Sequence, residues 1–176
     1  MSNSNLGVRL GGAFVVAALC VLSSVASAQD FPYDSFPARS VPEAYAKVPF
    51  DPAFLKRVKQ SGKPGYVTDT AASKAKVAVK FLAQSRALDA DRFRVVDQYF
   101  KSVLRRNDAR TIVGREYLFE QAGKQYWIPA QATLEPFMAK ELKTAQSVDL
   151  YLLVVGGLVK NQVSEAIALI EEFEAR

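Results

Sequence analysis

Hydrophobic positions change period along this chain, and the changes divide it into elements. Between Leu88 and Asn107 they recur at helical spacing: Phe93, Val96, Phe100 and Val103 share one face, which predicts a helix over 89–106. Asp89 is its N-cap, Leu88 staples onto Phe93, Arg105 and Arg106 meet the negative end of the dipole, and Asn107 takes the left-handed stop. The stretch before it is ambiguous. Ala71, Ala75, Ala78, Val79 and Leu82 make a narrow helical face that Asp69 or Thr70 would cap, whereas Val77, Val79 and Phe81 alternate as in a strand. Its alanines and length favour a helix over 71–86. From Thr111 the period falls to two: strands over 111–121 and 124–130 flank a turn at Ala122-Gly123, and a short helix spans 134–142. Residues 147–155, SVDLYLLVV, are apolar on nearly both faces, so this strand belongs in the middle of a sheet, closed by Gly156-Gly157. The last segment, 166–174, fits either period, and the reading leans to strand. The expected fold is α+β: a helical pair followed by a small antiparallel sheet or partly open barrel of about four strands, one domain over 67–176.

Residues 29–66 form a proline-rich lead-in. Pro32, Pro37, Pro42, Pro49 and Pro52 break helices and remove ladder donors. Phe31, Tyr33, Phe36, Tyr45, Phe50 and Phe54 are more rings than a disordered linker carries, so part of this extended segment should lie along the domain with its rings in surface grooves. The alternative is a free arm that docks on another protein. Residues 1–28 read as a secretory signal peptide: Arg9, an uncharged stretch from Leu10 to Leu22, then Ala26-x-Ala28, with cleavage after Ala28. The stretch is shorter than the ~20 residues that span a bilayer, and the residue before Cys20 is too large for a lipidation signal. The mature protein is therefore expected to be exported, periplasmic or secreted, with no transmembrane segment after cleavage.

Composition narrows the chemistry. The chain has no histidine and one cysteine, which sits in the leader. A mature thiolate nucleophile, histidine-based triad, disulfide or His/Cys zinc site is excluded, and no cofactor or metal is expected. The net charge of +5 is uneven: basic residues outnumber acidic ones from Gln29 to Thr111, and the reverse holds from Ile112 onward. Lys74, Lys76, Lys80, Arg92 and Arg94 would make a basic helix face able to steer toward an anionic polymer or lipid surface, although such a face is usually just solvated.

Each candidate for chemistry has a plainer explanation. Ser73-x-x-Lys76 matches a serine–lysine pair, but no Ser-Asp-Asn follows and Lys143-Thr144-Ala145 lacks the glycine of Lys-Thr-Gly. Glu116 with Glu120, or Glu171, Glu172 and Glu174, suggest a carboxylate pair, yet strand edges carry glutamates for solubility. Asp89 and Asp91 resemble the start of a calcium loop, but Arg94 occupies the position that demands glycine. Trp127, Tyr126, Tyr117 and Tyr151 are candidate binding rings, and Phe119 lies among them. Packing is the simpler role for all five, because a small sheet needs their area. The acidic balance of the strand-rich half opposes nucleic acid.

Gly123, Tyr126-Trp127-Ile128-Pro129, Glu141-Leu142, Leu150-Tyr151 and Gly156 give residues 112–174 a resemblance to small exported bacterial proteins of uncharacterised families, built on OB-like or SH3-like antiparallel barrels. These are packing and turn residues, so the resemblance implies a barrel and transfers no activity. The function expected is a non-enzymatic binding or interaction module contacting an envelope protein, polymer or lipid. A small hydrolase using Ser73 with Lys76 or a glutamate pair, and an anionic-surface binder, are the alternatives.

Overall fold

A computed structural model describes residues 31–176, and Pro32–Arg176 form one compact unit. The expected signal peptide, the cleavage expected after Ala28 and Cys20 fall outside the described residues. After a single 3-10 turn at Tyr33–Ser35 come α1 (Val41–Tyr45), α2 (Pro52–Ser61), β1 (Gly65–Thr68) and β2 (Lys74–Ala87). Then follow α3 (Ala90–Ser102), α4 (Ala109–Ile112), β3 (Val113–Gln121), β4 (Lys124–Gln131), α5 (Glu135–Glu141), β5 (Ser147–Lys160) and β6 (Val163–Ala175).

The expected helical pair with about four strands is corrected on both counts. The sheet is six-stranded and mixed, in the order β1-β5-β2-β3-β4-β6, and β5 also pairs with β6, so five of the strands close into a ring. All pairings are antiparallel except β4 with β6, which meet in parallel at Ala130 and Ile170.

The segment read as a first helix is strand β2. Its alternation is the signal that governs: Ala75, Val77, Val79 and Phe81 are buried, while Ala78 and Lys80 are exposed. Pairing with two partners overrides the helix preference of its alanines. Residues Lys74 to Lys80 pair with β5, and Lys80 to Ala87 pair with β3. A register shift between Phe81 and Ser85 marks the bend, with Ala83 at φ 54°. Bulges of this kind let one strand turn from one neighbour to the next.

Two tight turns set the hairpins. Ala122 and Gly123, at φ 52° and 77°, both lie in the left-handed region, as the twist-matched two-residue hairpin turn requires. Asn161 and Gln162 do the same at φ 51° and 66° and join β5 to β6. Strand β5 therefore does not close at Gly156-Gly157 but runs through both glycines to Lys160. The glycines serve close approach instead: a Cβ on Gly156 would stand 2.1 Å from the backbone oxygen of Val67, where β1 crosses. The final segment is a strand, β6, as the period of two suggested.

One hydrophobic cluster joins the ring's facing side chains, among them Val77, Phe119, Ile128, Leu150, Leu152 and Ile170, to Val41 and Ala44 of α1 and Met138 of α5. A second packs α3, through Val95, Val96, Tyr99 and Phe100, on Leu153, Val155, Ile167 and Leu169 of β5 and β6. Each fully buried side chain of this size contributes about 1.5–3 kcal/mol. Asp89 caps α3 by accepting from the Asp91 and Arg92 backbone N–H groups. The helix stops at Ser102, and Arg105 at φ 58°, not Asn107, takes the left-handed position after it.

The proline-rich lead-in is part of the fold and is not uniformly extended. Pro42 and Pro52 stand in the first turns of α1 and α2, where a missing N–H costs nothing. Ser40 and Glu43 close a capping box on α1. Ala38 bridges Lys76 in parallel: the Lys76 N–H donates to Pro37 O and the Arg39 N–H to Lys76 O, both at 2.9 Å. This covers the β2 edge that β3 leaves open. Among the described residues no helix is long and apolar enough to cross a membrane.

Candidate functional site

The ring closes at one point between β4 and β6, and away from Ala130 those two strands share no further ladder pairing. The side chain that bridges them there is Arg92, in the first turn of α3. Its guanidinium donates to Trp127 O on β4 at 2.5 Å and pairs with Glu165 on β6. Its Nε lies 2.7 Å from Glu116 Oε2 on β3. Glu116 is fully buried and Arg92 is 5% exposed, so both charges have left water and each depends on the other. Arg86, directly across the ladder from Glu116, donates from Nε to Glu116 Oε1 at 2.5 Å. It also lies 4.1 Å over the indole of Trp127. Trp127 is therefore neither a core plug nor an open platform. It lies on the wall of the site, covered by a guanidinium.

Beside this knot opens a cleft of about 510 Å³, lined among others by Arg86, Asp89, Arg92, Lys160, Asn161 and Glu165. It lies where the β2–β3 connection carrying α3 meets the β5–β6 turn. Glu165 also lines a second hollow of about 450 Å³, with Tyr45, Phe50, Tyr126 and Trp127. The two hollows share the Glu165 wall and lie side by side. Lys160 pairs with Asp91 at 2.6 Å, and Tyr66 donates its hydroxyl to Asp91 at 2.8 Å. The Lys160 and Tyr66 bonds hold the Asp91 carboxyl below the usual range, and the Asp91 bond raises Lys160. Tyr45 meets the Tyr126 ring edge-on at 6.2 Å, and its buried hydroxyl has no hydrogen-bond partner among the described residues. Burial pushes that phenol far up. Each cation on the cleft's wall is matched by a carboxylate, so the cleft as a whole is close to neutral.

The remaining predicted residues lie elsewhere. Tyr151 is buried and forms a separate cluster: the rings of Tyr33 and Phe36 cover it at 4.9 and 5.5 Å, and its hydroxyl meets Glu174. Lys76 reaches Asp149 at 3.1 Å and Glu174 at 3.4 Å and lies over the Tyr151 ring. Its bonds to Tyr151 and Asp149 raise its pKa, which opposes use as a base. Ser73, three residues away along extended chain, gives its backbone to Val154 and Asp69. Tyr117 packs against Phe81, 6.4 Å between ring centres. Lys80 is exposed on β2, and Arg94 lies over Tyr66 at 5.3 Å. Because 74–87 is a strand, Lys74, Lys76 and Lys80 share its outward face, and Arg92 and Arg94, on α3, do not belong to the single helix face assigned to all five. Glu120 is partly buried and pairs across the ladder with Lys80. Among the described residues no three acids converge as a metal site would need.

Sequence reasoning reached Trp127, Tyr126, Arg92 and Glu116, and expected the Tyr45 and Phe50 rings in surface grooves, where they lie, but it missed Arg86 as a partner, Glu165 and Lys160. One signal was available: Arg92 is in register with Val95, Val96 and Tyr99 on the buried stripe of α3, where an arginine must find a carboxylate. No protein-family model matches the chain, and no curated protein matches it.

Proposed function

We propose that this protein is a non-enzymatic binding module of OB type, exported under its leader-like first segment, that holds a hydroxyl-rich, uncharged ligand such as a short sugar chain. The connectivity supports the OB reading: a three-strand meander β2-β3-β4, a helix, then a hairpin whose last strand closes in parallel on the third. In that architecture the outer face of the second and third strands and the adjoining loops take oligonucleotides or oligosaccharides. Glu116, Trp127 and the cleft occupy those positions here.

The observation that carries the ligand class is the charge balance. Arg86, Arg92 and Lys160 are each bound to a carboxylate, so little net field remains to attract phosphates, which dominate nucleic-acid affinity. What remains is a row of rings with hydrogen-bonding groups at their edges, which suits the apolar face and hydroxyls of a sugar. Trp127 is the chain's single tryptophan, so its emission reports on this site alone. Titration with a neutral N-acetylhexosamine oligosaccharide should shift that emission, whereas an oligo-dT strand at moderate salt should not. A shift with oligo-dT alone, or with neither, would overturn the reading.

A further inference from the structure

Glu171 has none of the support given to Glu116. In β6 the ladder passes from Ile170, opposite Leu152, to Glu172, opposite Tyr151, so Glu171 is the extra residue of a β-bulge. Bulges re-aim side chains and are common beside functional sites. The residue faces a hollow of about 370 Å³ between α3, α4, the end of β4 and the outer faces of β5 and β6. Tyr99, Phe100, Leu104, Ile112, Leu153 and Leu169 give it an apolar wall, and Leu104 is 41% exposed at its mouth. Burial pushes the Glu171 carboxyl up, opposed by the charge of Lys74.

No hydrogen bond or ion pair to Glu171 is present among the described residues, and the nearby cations are engaged elsewhere. Lys74 donates to Ser35 at 3.3 Å and lies over the Phe36 ring. Arg106, on the hollow's rim, is bound at two points to Asp108, at 3.0 and 2.6 Å. A partly desolvated carboxylate at the edge of an apolar hollow is an unfavourable arrangement for the protein alone. A ligand that brings both a positive charge and an apolar body would relieve it, with the Tyr99 and Phe100 rings adding attraction for a cation.

We propose that this hollow binds an organic cation, its ammonium against Glu171 and its apolar body against Leu104, Ile112 and Leu169. The site is separate from the Trp127 cleft and does not depend on the reading of that cleft. The test uses the full chain with 2-phenylethylammonium and its neutral counterpart 2-phenylethanol, followed by NMR shifts of the Leu104, Ile112 and Leu169 methyls. The ammonium should bind about tenfold more tightly than the alcohol, the size of one charge-assisted contact. Glu171→Gln should erase that preference while leaving the alcohol's affinity unchanged. Leu104→Lys, at an exposed position, should abolish ammonium binding by placing a cation of the protein's own beside the carboxylate. Equal affinity for the two probes, a preference that survives Glu171→Gln, or shifts confined to other methyls would overturn the proposal.

Discussion

Glu116 and Glu171 are both drawn out of water, yet the fold answers one and leaves the other. Glu116 is fully buried and held by two arginines from different elements, one of which also ties β4 to β6. Glu171 is partly buried, displaced by a bulge and, among the described residues, in no ion pair. The first carboxylate organises a wall: it fixes Arg92 at the open seam and Arg86 on the indole. The second leaves an interaction unmade. A desolvated charge that the fold neutralises is part of the scaffold, and one that it does not is available to something else.

Removing Glu116 should give the largest effect. Glu116→Gln leaves Arg92 buried opposite a neutral amide, and breaking such a pair costs about 3–5 kcal/mol. Urea denaturation should show the loss. The double change Glu116→Leu with Arg92→Met should recover much of it, because the pair's desolvation penalty goes too. A small loss for Glu116→Gln alone would erase the contrast between the two glutamates.

Arg86→Ala comes next. Half of this side chain is in solvent, so its bond to Glu116 is partly screened, and the loss should be about 1 kcal/mol. A red shift in Trp127 emission should accompany it as the indole loses its cover. Unchanged emission would mean that the guanidinium does not rest on the ring in solution.

Glu171→Gln should act in the opposite direction and raise the denaturation midpoint modestly at neutral pH, by less than Arg86→Ala lowers it, because the carboxyl is partly exposed and screened. The sign follows from the shift. The folded carboxyl titrates above its unfolded value, so ionisation is penalised only in the folded state. The penalty is absent below the unfolded pKa, grows through the interval up to the folded one and stays constant above it. The gain from Glu171→Gln should therefore disappear in acid. Lys74, Tyr99 and the Arg106–Asp108 pair are the charged or titratable groups that face it; Arg106 holds the Asp108 carboxyl below that interval, and burial moves Tyr99 further above it. A loss of stability at neutral pH would show that Glu171 has a partner in solution. The smallest effect belongs to that exposed pair, where Asp108→Asn should leave the denaturation midpoint unchanged within error.

The elements legible in the chain are those whose signals are local. The cap at Asp89, the turn at Ala122-Gly123 and the apolar run before Gly156 each depend on neighbours a few residues away, and α3, the β3–β4 hairpin and the start of β5 follow from them. Residues 74–87 were not legible because their apolar positions satisfy both periods. The choice was made by β5 and β3, which lie far along the chain. Gly156-Gly157 read as an ending because nothing local reveals that β1 will pass against that backbone.

The candidate site divides in the same way. Trp127 and Tyr126 stand out from their residue types alone, and the lack of histidine is likewise read directly from composition. The pairing of Arg92 with Glu165 joins residues 73 positions apart, and that of Arg86 with Glu116 joins residues 30 apart. Local pattern cannot choose among the many Arg–Glu pairs the chain offers, since charge pairing carries no register of its own. Only ring closure, by placing β3, β4, β6 and the first turn of α3 around one point, determines that Glu116 and Glu165 are the carboxylates these arginines answer.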